Sequence, residues 1–377
     1  MKAGVTRANW RTHPHSVWAF QNLASFLPMA EVAAGDSVRP FEEALLDLSQ
    51  LRFRADTGEE MSWDAFLELT HTDAMLVLHR GAVVFEHYAN GMLPGTRHML
   101  FSITKSIVGL IAEMLIAQGL VEETAVAASY VPELGDGAFA RATLRALLDM
   151  RDGVRFDENY ADPDAEIHRY SAAYWGETEE GVRAALPRIG QAGQTPGFAY
   201  RTPVTDVIGW CLVRATGTPL AVLLSELIWK DIGAATTASW VRDTGGHEIA
   251  ATGLNATLRD VGRLAQMLVD QGRVGRNQVI APDIVARIAE GGDRAAFAEA
   301  GMATRPGWSY RSHWWVPPEP RRLRALGVYG QQLLVDIPNR LAIVRFGSHP
   351  VASNAATDSL HEAAFAALEA FLARYRP

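Results

Sequence analysis

A chain of 377 residues with 48 % hydrophobic and 21 % charged residues has the make-up of a globular protein, long enough for one large domain or two interleaved ones, so disorder is excluded as its dominant state. A formal charge of −8 speaks against a nucleic-acid surface, which needs clustered lysine and arginine, and no segment approaches the roughly 20 apolar residues of a membrane span. The single cysteine, Cys211 in the apolar run Val207 to Val213, excludes an intrachain disulfide and reads as a buried, inert thiol in a reducing, cytoplasmic setting.

The first 20 residues carry a few positive charges but lack the continuous apolar stretch of a signal peptide. Helix-like pieces at Val17 to Leu27 and Phe41 to Leu51 form a lead-in without chemistry. From Ala74 to Glu86, two β-rich runs split by Arg80-Gly81 predict a hairpin. At Ser102 the pattern becomes helical: Ile103, Ile107, Leu110, Ile111, Met114 and Leu115 share one stripe, and Gly119 stops it.

Between about 120 and 245, helices such as Thr143 to Met150 and Thr205 to Ala215 are joined by polar loops, and strand signals are scarce. Thr257, followed by Asp260, starts another helix, with Gly272 beyond its end. The basic run Arg321, Arg322, Arg324 reads as a solvated turn after Pro317, Pro318 and Pro320. Strands return at Gln331 to Ile337 and Leu341 to Phe346 around Pro338-Asn339, and an amphipathic helix closes the chain from Asp358 to Tyr375. Strands at both ends with helices between them predict an α/β fold: an antiparallel sheet flanked by helices, built from residues 1–118 and 246–377, with 119–245 as a mainly helical insertion.

Ser102-Ile103-Thr104-Lys105 places a hydroxyl and an amine on one face of that helix. A serine hydroxyl is a poor nucleophile until a base takes its proton, and a lysine can be that base if burial lowers its pKa. The apolar stripe supplies burial, and the helix N-terminus supplies N–H groups for a developing oxyanion. Alone, S-x-x-K is common, and an N-cap serine with a surface lysine produces it too.

Its company is more specific. Phe101 to Ser106 is followed by Leu147 to Gly153, by Pro196-Gly197-Phe198-Ala199-Tyr200-Arg201-Thr202, and by Gly253-Leu254-Asn255-Ala256-Thr257-Leu258-Arg259-Asp260. In this order the segments resemble the serine β-lactamase and penicillin-binding-protein superfamily, nearest its class C β-lactamase-like esterases and the 6-aminohexanoate-dimer hydrolases, from about Ala74 to the C-terminus. The resemblance implies a β-lactamase/transpeptidase-like fold and a serine hydrolase working through an acyl-enzyme without a cofactor. Catalysis would fall to Ser102, Lys105 and Tyr200. Thr202 stands where the family has Asn or Ser, and Tyr200 can equally be a buried structural tyrosine.

The family's third element, an edge strand with Lys-Thr-Gly or a His variant, is matched by Ala325-Leu326-Gly327-Val328. Gly327 would let substrate approach, and the backbone N–H of Val328 would join that of Ser102 in holding the oxyanion. The missing cation argues against efficient β-lactamase or D-alanyl-D-alanine peptidase activity and favours an esterase or amidase.

The loop from Phe156 to Glu166, followed by Tyr170, Tyr174 and Trp175, resembles the one that overhangs the site in nylon-oligomer hydrolases, where a tyrosine matching Tyr160 contacts the amide. It makes Tyr160, Trp175, Thr202 and Gly327 substrate-binding candidates, with loop carboxylates as receivers of a substrate ammonium; a solvated loop is the alternative. The 11 histidines show no metal spacing, and Walker, dinucleotide and Gly-x-Ser-x-Gly patterns are absent. The expected partner is a small-molecule ester or amide, with no nucleic acid and no membrane, and a homodimer is left open. A catalytically silent sensor with the same fold is the second reading, motivated by the departures at Thr202 and at Ala325 to Gly327.

Overall fold

The computed structural model describes residues 4–193, 197–302 and 304–375. Thr72–His79 and Ala82–Tyr88 pair around Arg80 and Gly81, whose φ values of 55° and 91° are those of the tight turn that matches strand twist. They belong to an eight-stranded sheet that runs from Ser309–Arg311 through Trp314–Val316, Arg322–Gly327, Gln331–Asp336, Leu341–Gly347 and the hairpin to Glu42–Glu43. Every pairing is antiparallel except the last. Thr72–His79 lies beside Leu341–Gly347, so early and late segments share one sheet.

All eight residues of Thr72–His79 are buried, because both faces of the sheet are covered. Leu76 and Leu78 pack into a core with the helices Ile103–Ala117 and Leu258–Val269. Met75 and Val77, on the other face, pack with Phe66 of Trp63–Leu69 and with Leu360 and Leu368 of Asp358–Arg374. The expected α/β architecture is therefore present. The Leu258–Val269 helix starts as its sequence indicates, with the Thr257 side chain accepting the Asp260 N–H.

A smaller antiparallel sheet joins Met29–Val32, Ala238–Val241, Leu254–Ala256 and His98–Met99. It steadies the turn before Ser102, since Leu100 N–H donates to Leu254 O at 2.9 Å. Residues 119–245 hold the helices Leu144–Leu148, Glu166–Tyr174, Thr202–Thr216 and Leu220–Leu224, together with the strand Ala238–Val241. All four strand residues are buried, so no polar alternation marks it in the sequence.

Three expectations are corrected. Phe41 to Leu51 is not helical: Glu42–Glu43 adds a parallel strand at the sheet edge, and the N–H groups of Ala44 and Leu46 donate to the carbonyls of Val83 and Val84, a tertiary pairing that overrides local preference. Val17 to Leu27 breaks into a short helix, His15–Ala19, and a 3-10 turn, Leu23–Ser25. The run at Arg321 is not a solvated turn beyond its first residue: Arg322 and Arg324 lie on a strand, and Arg324, 2 % exposed, pairs with Glu362 at 2.9 Å. Among the described residues no single helix is long and apolar enough to cross a membrane.

Candidate active site

Phe101 takes a left-handed backbone, φ 47°, a conformation that costs a non-glycine residue about 1 kcal/mol or more. Its ring is held edge-on against Phe20 at 4.8 Å and near Tyr329 at 5.1 Å. The turn delivers Ser102 to the start of the Ile103–Ala117 helix with its side chain capping nothing, so the hydroxyl remains available to the cleft. One turn on, Lys105 Nζ donates to Ser102 Oγ at 2.8 Å and to Ala251 O at 3.0 Å.

Lys105 is 1 % exposed, and among the described residues no carboxylate oxygen lies within ion-pair distance of it. Burial lowers its pKa to about 8, with Glu158 and Asp206 pulling the other way from a distance. Asp206, one turn into Thr202–Thr216, accepts hydrogen bonds from the phenols of Tyr170 and Tyr174 at 2.9 and 2.7 Å and from Ala251 N–H at 3.0 Å. Its burial raises its pKa to about 6, opposed by those hydrogen bonds. Asp206 and Lys105 therefore grip opposite ends of residue 251.

Tyr200 stacks on Trp315 at 5.4 Å, and its ring centre lies 5.2 Å from Lys105 Nζ. Burial, then Glu158, pushes its phenol well above the ordinary value, while hydrogen bonding to Ser102 works the other way. The Tyr200 phenol therefore stays protonated at neutral pH. Pro196, the first residue of its motif, lies outside the described residues. Thr202 is the first residue of its helix, three positions earlier than the sequence periodicity indicates, and Pro203 sits within the opening turn where a missing N–H does no harm. The Thr202 hydroxyl donates to Glu158 Oε1 and its N–H to Oε2.

Gly327 answers a close approach: a Cβ there would sit 2.7 Å from Leu100 O, beside the Ser102 turn. The strand is internal at Arg324, which pairs with Trp315, yet among the described residues Ala325, Leu326 and Gly327 pair only with Gln331 to Leu333. The other edge of those three residues remains open, so the expectation of an edge strand holds for this end alone. Among the described residues neither Ser102 N–H nor Val328 N–H donates within the protein. Asn354 braces this corner by donating to Gly327 O at 2.9 Å and accepting from Gly330 N–H at 2.8 Å.

Two lobes meet at Ser102. A wide one of about 500 Å³ is lined by Tyr200, Trp315 and Gly327; a narrow one of about 200 Å³ is lined by Lys105, Trp175 and Thr202, and Tyr160 and Val328 border both. The structure thus brings Ser102, Lys105, Tyr200, Val328, Gly327, Tyr160, Thr202 and Trp175 to one cleft. Trp175 contributes a wall, 5 % exposed and packed on Trp10 at 4.9 Å, whereas Tyr160 is 40 % exposed. The loop carboxylates do not reach the narrow lobe: Glu158 is held by Thr202, and Glu166 accepts the Asp157 N–H at 3.0 Å. Sequence reasoning missed Glu158 as a partner of Thr202, and it missed Asp206, Ala251 and Asn354 altogether. Among the described residues no cluster of metal-ligating side chains occurs.

A family model described as Beta-lactamase matches residues 68–367. The chain is 31 % identical over 352 residues to a 6-aminohexanoate-dimer hydrolase of Paenarthrobacter ureafaciens, covering 92 % of this chain and 88 % of that one. It superposes with a TM-score of 0.89, at 26 % identity, on a Bacillus anthracis protein provisionally described as a 6-aminohexanoate-dimer hydrolase, over 100 % of this chain and 99 % of that one. A family VIII carboxylesterase shares the fold at 15 % identity, with a TM-score of 0.56, over 78 % of this chain and 92 % of the other.

Proposed function

Because this chain belongs to the β-lactamase family, we propose that its activity as a serine hydrolase of small esters or amides runs through an acyl-enzyme on Ser102, activated by Lys105. The observation that carries the assignment is the buried Lys105 amine, 2.8 Å from Ser102 Oγ and without a carboxylate partner among the described residues. An amine with a pKa near 8 is neutral often enough at neutral pH to accept a proton.

Ser102 Oγ attacks the carbonyl carbon while its proton passes to Lys105. The N–H groups of Ser102 and Val328, which lack protein acceptors among the described residues, hold the oxyanion. On collapse the bond to the leaving oxygen or nitrogen breaks, the leaving group takes the Tyr200 proton, and the Lys105 ammonium returns one to Tyr200. Water then attacks the acyl-serine, giving its proton to Lys105, and Lys105 reprotonates the departing Ser102. The cycle closes with every proton accounted for and uses only the chain's own groups.

The substrate class is that of a carboxylesterase or of an amidase of the 6-aminohexanoate-oligomer type. Penicillin-like substrates fit less well, because the strand at Ala325 to Gly327 offers no cation and Arg305 of the wide lobe is tied to Asp358 at 2.6 Å. A small-molecule partner and a cytoplasmic location complete the reading, the latter supported by a lone, buried Cys211 thiol. A fluorophosphonate should add one adduct to the intact protein, seen by mass spectrometry, and none to Ser102→Ala, which should also lose hydrolysis of p-nitrophenyl esters. Full activity in Ser102→Ala would overturn the assignment.

A further inference from the structure

The two lobes differ in charge as well as in width. Among the described residues no aspartate or glutamate lines the narrow lobe, while Arg11, His168, Ser171 and Thr252 do. Arg11 lies over the rings of Trp10 and Trp175, 5.6 and 5.7 Å from their centres, which fixes a guanidinium at the rim of the lobe. One of its nitrogens donates to Glu177 at 2.9 Å, and the side chain keeps 33 % of its surface exposed, so further donors remain for a ligand. His168 lines the lobe, its ring edge-on to Tyr160 at 6.3 Å, and its Nε2 is buried without a hydrogen-bond partner among the described residues. A buried polar atom left without a partner costs about 1–3 kcal/mol, a deficit that a bound group can remove.

The lobes also differ in which proton groups they contain. Tyr200, which serves the leaving group in the proposed mechanism, lines the wide lobe and not the narrow one. The leaving group therefore belongs in the wide lobe and the acyl chain in the narrow one. At the roughly 30 Å³ a water occupies in the liquid, about 200 Å³ holds an acyl chain of roughly six or seven heavy atoms.

We propose that this acyl chain ends in a carboxylate, that the substrates are monoesters or monoamides of short aliphatic dicarboxylic acids, and that Arg11 and His168 recognise the free acid end. The proposal rests on the serine hydrolase reading above and, of the substrate classes named there, sets aside 6-aminohexanoate oligomers, whose acyl part ends in an ammonium. An acyl chain ending in an ammonium would meet a guanidinium, already paired with Glu177, and no acid among the described residues that line the lobe, and an uncharged chain would leave both groups unused.

The p-nitrophenyl esters of adipic acid as the monoester, of hexanoic acid and of 6-aminohexanoic acid present one leaving group and three chain ends. At pH 8 the adipoyl ester is expected to give a kcat/KM about tenfold above the hexanoyl ester and about a hundredfold above the aminohexanoyl ester, a charge-assisted bond gained in one case and a like-charge contact in the other. Arg11→Gln should shrink the adipoyl-to-hexanoyl ratio about tenfold, and Arg11→Glu should raise the aminohexanoyl ester relative to the hexanoyl one. Each ratio is taken within a single enzyme preparation, so a loss of folded protein cancels. Cleavage of the hexanoyl ester with no adipoyl preference, or a preference untouched by Arg11→Gln, overturns this inference and leaves the serine hydrolase intact. Failure to cleave any of the three esters, with no fluorophosphonate adduct, overturns both.

Discussion

Two ionisable side chains are buried about two turns apart on the Ile103–Ala117 helix, and the protein treats them in opposite ways. Glu113, fully buried, accepts from Arg145 at 2.7 Å and from the Ser312 hydroxyl, and a nitrogen of Arg287 lies 3.2 Å from its second oxygen. Lys105 meets a hydroxyl and a carbonyl and, among the described residues, no counter-charge. The paired carboxylate anchors a hairpin: residues Ser312 and His313, with φ of 49° and 64°, turn against Gly109, where a Cβ would sit 2.0 Å from Ser312 O. The unpaired amine keeps the cost of its burial, and that cost appears as a pKa moved from 10.5 to about 8. One burial is compensated and gives structure; the other is left uncompensated and leaves an amine that can take up a proton near neutral pH.

Lys105→Met should cut kcat/KM by about 10³-fold or more, the scale of a lost general base. It should not lower the melting temperature. Between pH 8 and 10.5 the unfolded chain holds the Lys105 proton and the folded one does not, so stability rises with pH through that window. Below pH 8 the folded state bears the full cost of the buried cation, roughly 3 kcal/mol by the size of the shift. The methionine variant should therefore gain melting temperature over wild type below pH 8 and lose that gain towards pH 10.5. A variant that melts several degrees lower at pH 7 while retaining activity would remove the distinction between the two sites. Glu113→Gln is the converse: breaking a buried pair costs about 3–5 kcal/mol, so the melting temperature should fall by several degrees while kcat of the folded fraction stays near wild type. Loss of kcat at temperatures where the circular dichroism is unchanged would show that the hairpin anchor is part of the catalytic machinery.

What the sequence reveals of this arrangement follows from how local each interaction is. The Ser102 to Lys105 spacing, the apolar stripe behind it, the Thr257 cap and the Arg80-Gly81 turn are written within a few neighbouring residues, and they mark the candidate site and the elements beside it. Asp206 is separated from Tyr170 by 36 positions and from Ala251 by 45, and Glu158 from Thr202 by 44, so no local pattern joins them. Arg322 and Arg324 look like a solvated run because the carboxylates they meet lie elsewhere in the chain: Asp336 on the next strand and Glu369 on the last helix for Arg322, and Glu362 on that helix for Arg324. Phe41 to Leu51 looks helical because the backbone pairing that makes it extended belongs to Val83 and Val84.

Asp206 is the carboxylate that steadies Lys105 without touching it. Asp206 holds Ala251 by its N–H, and Ala251 holds Lys105 by its carbonyl, so Asp206 is a positioning residue. The groups facing Lys105 are Ser102, Tyr200, Glu158, Asp206 and His313; burial, then the charge of Lys105, drives the His313 imidazole down to about 3, so it stays uncharged. Above pH 6, Asp206 is ionised and its charge raises the Lys105 pKa. Asp206→Asn removes that charge, so Lys105 should lose its proton more readily and the acid limb of kcat/KM should move to lower pH by less than about one unit, a charge effect worth roughly 1 kcal/mol. The plateau should drop less than about tenfold, and below pH 6, where wild-type Asp206 is itself protonated, the two profiles should draw together. A limb that moves to higher pH would mean that Asp206 does not act on Lys105 through its charge; an unshifted limb with a large loss of plateau would mean that it serves only to hold residue 251 in place.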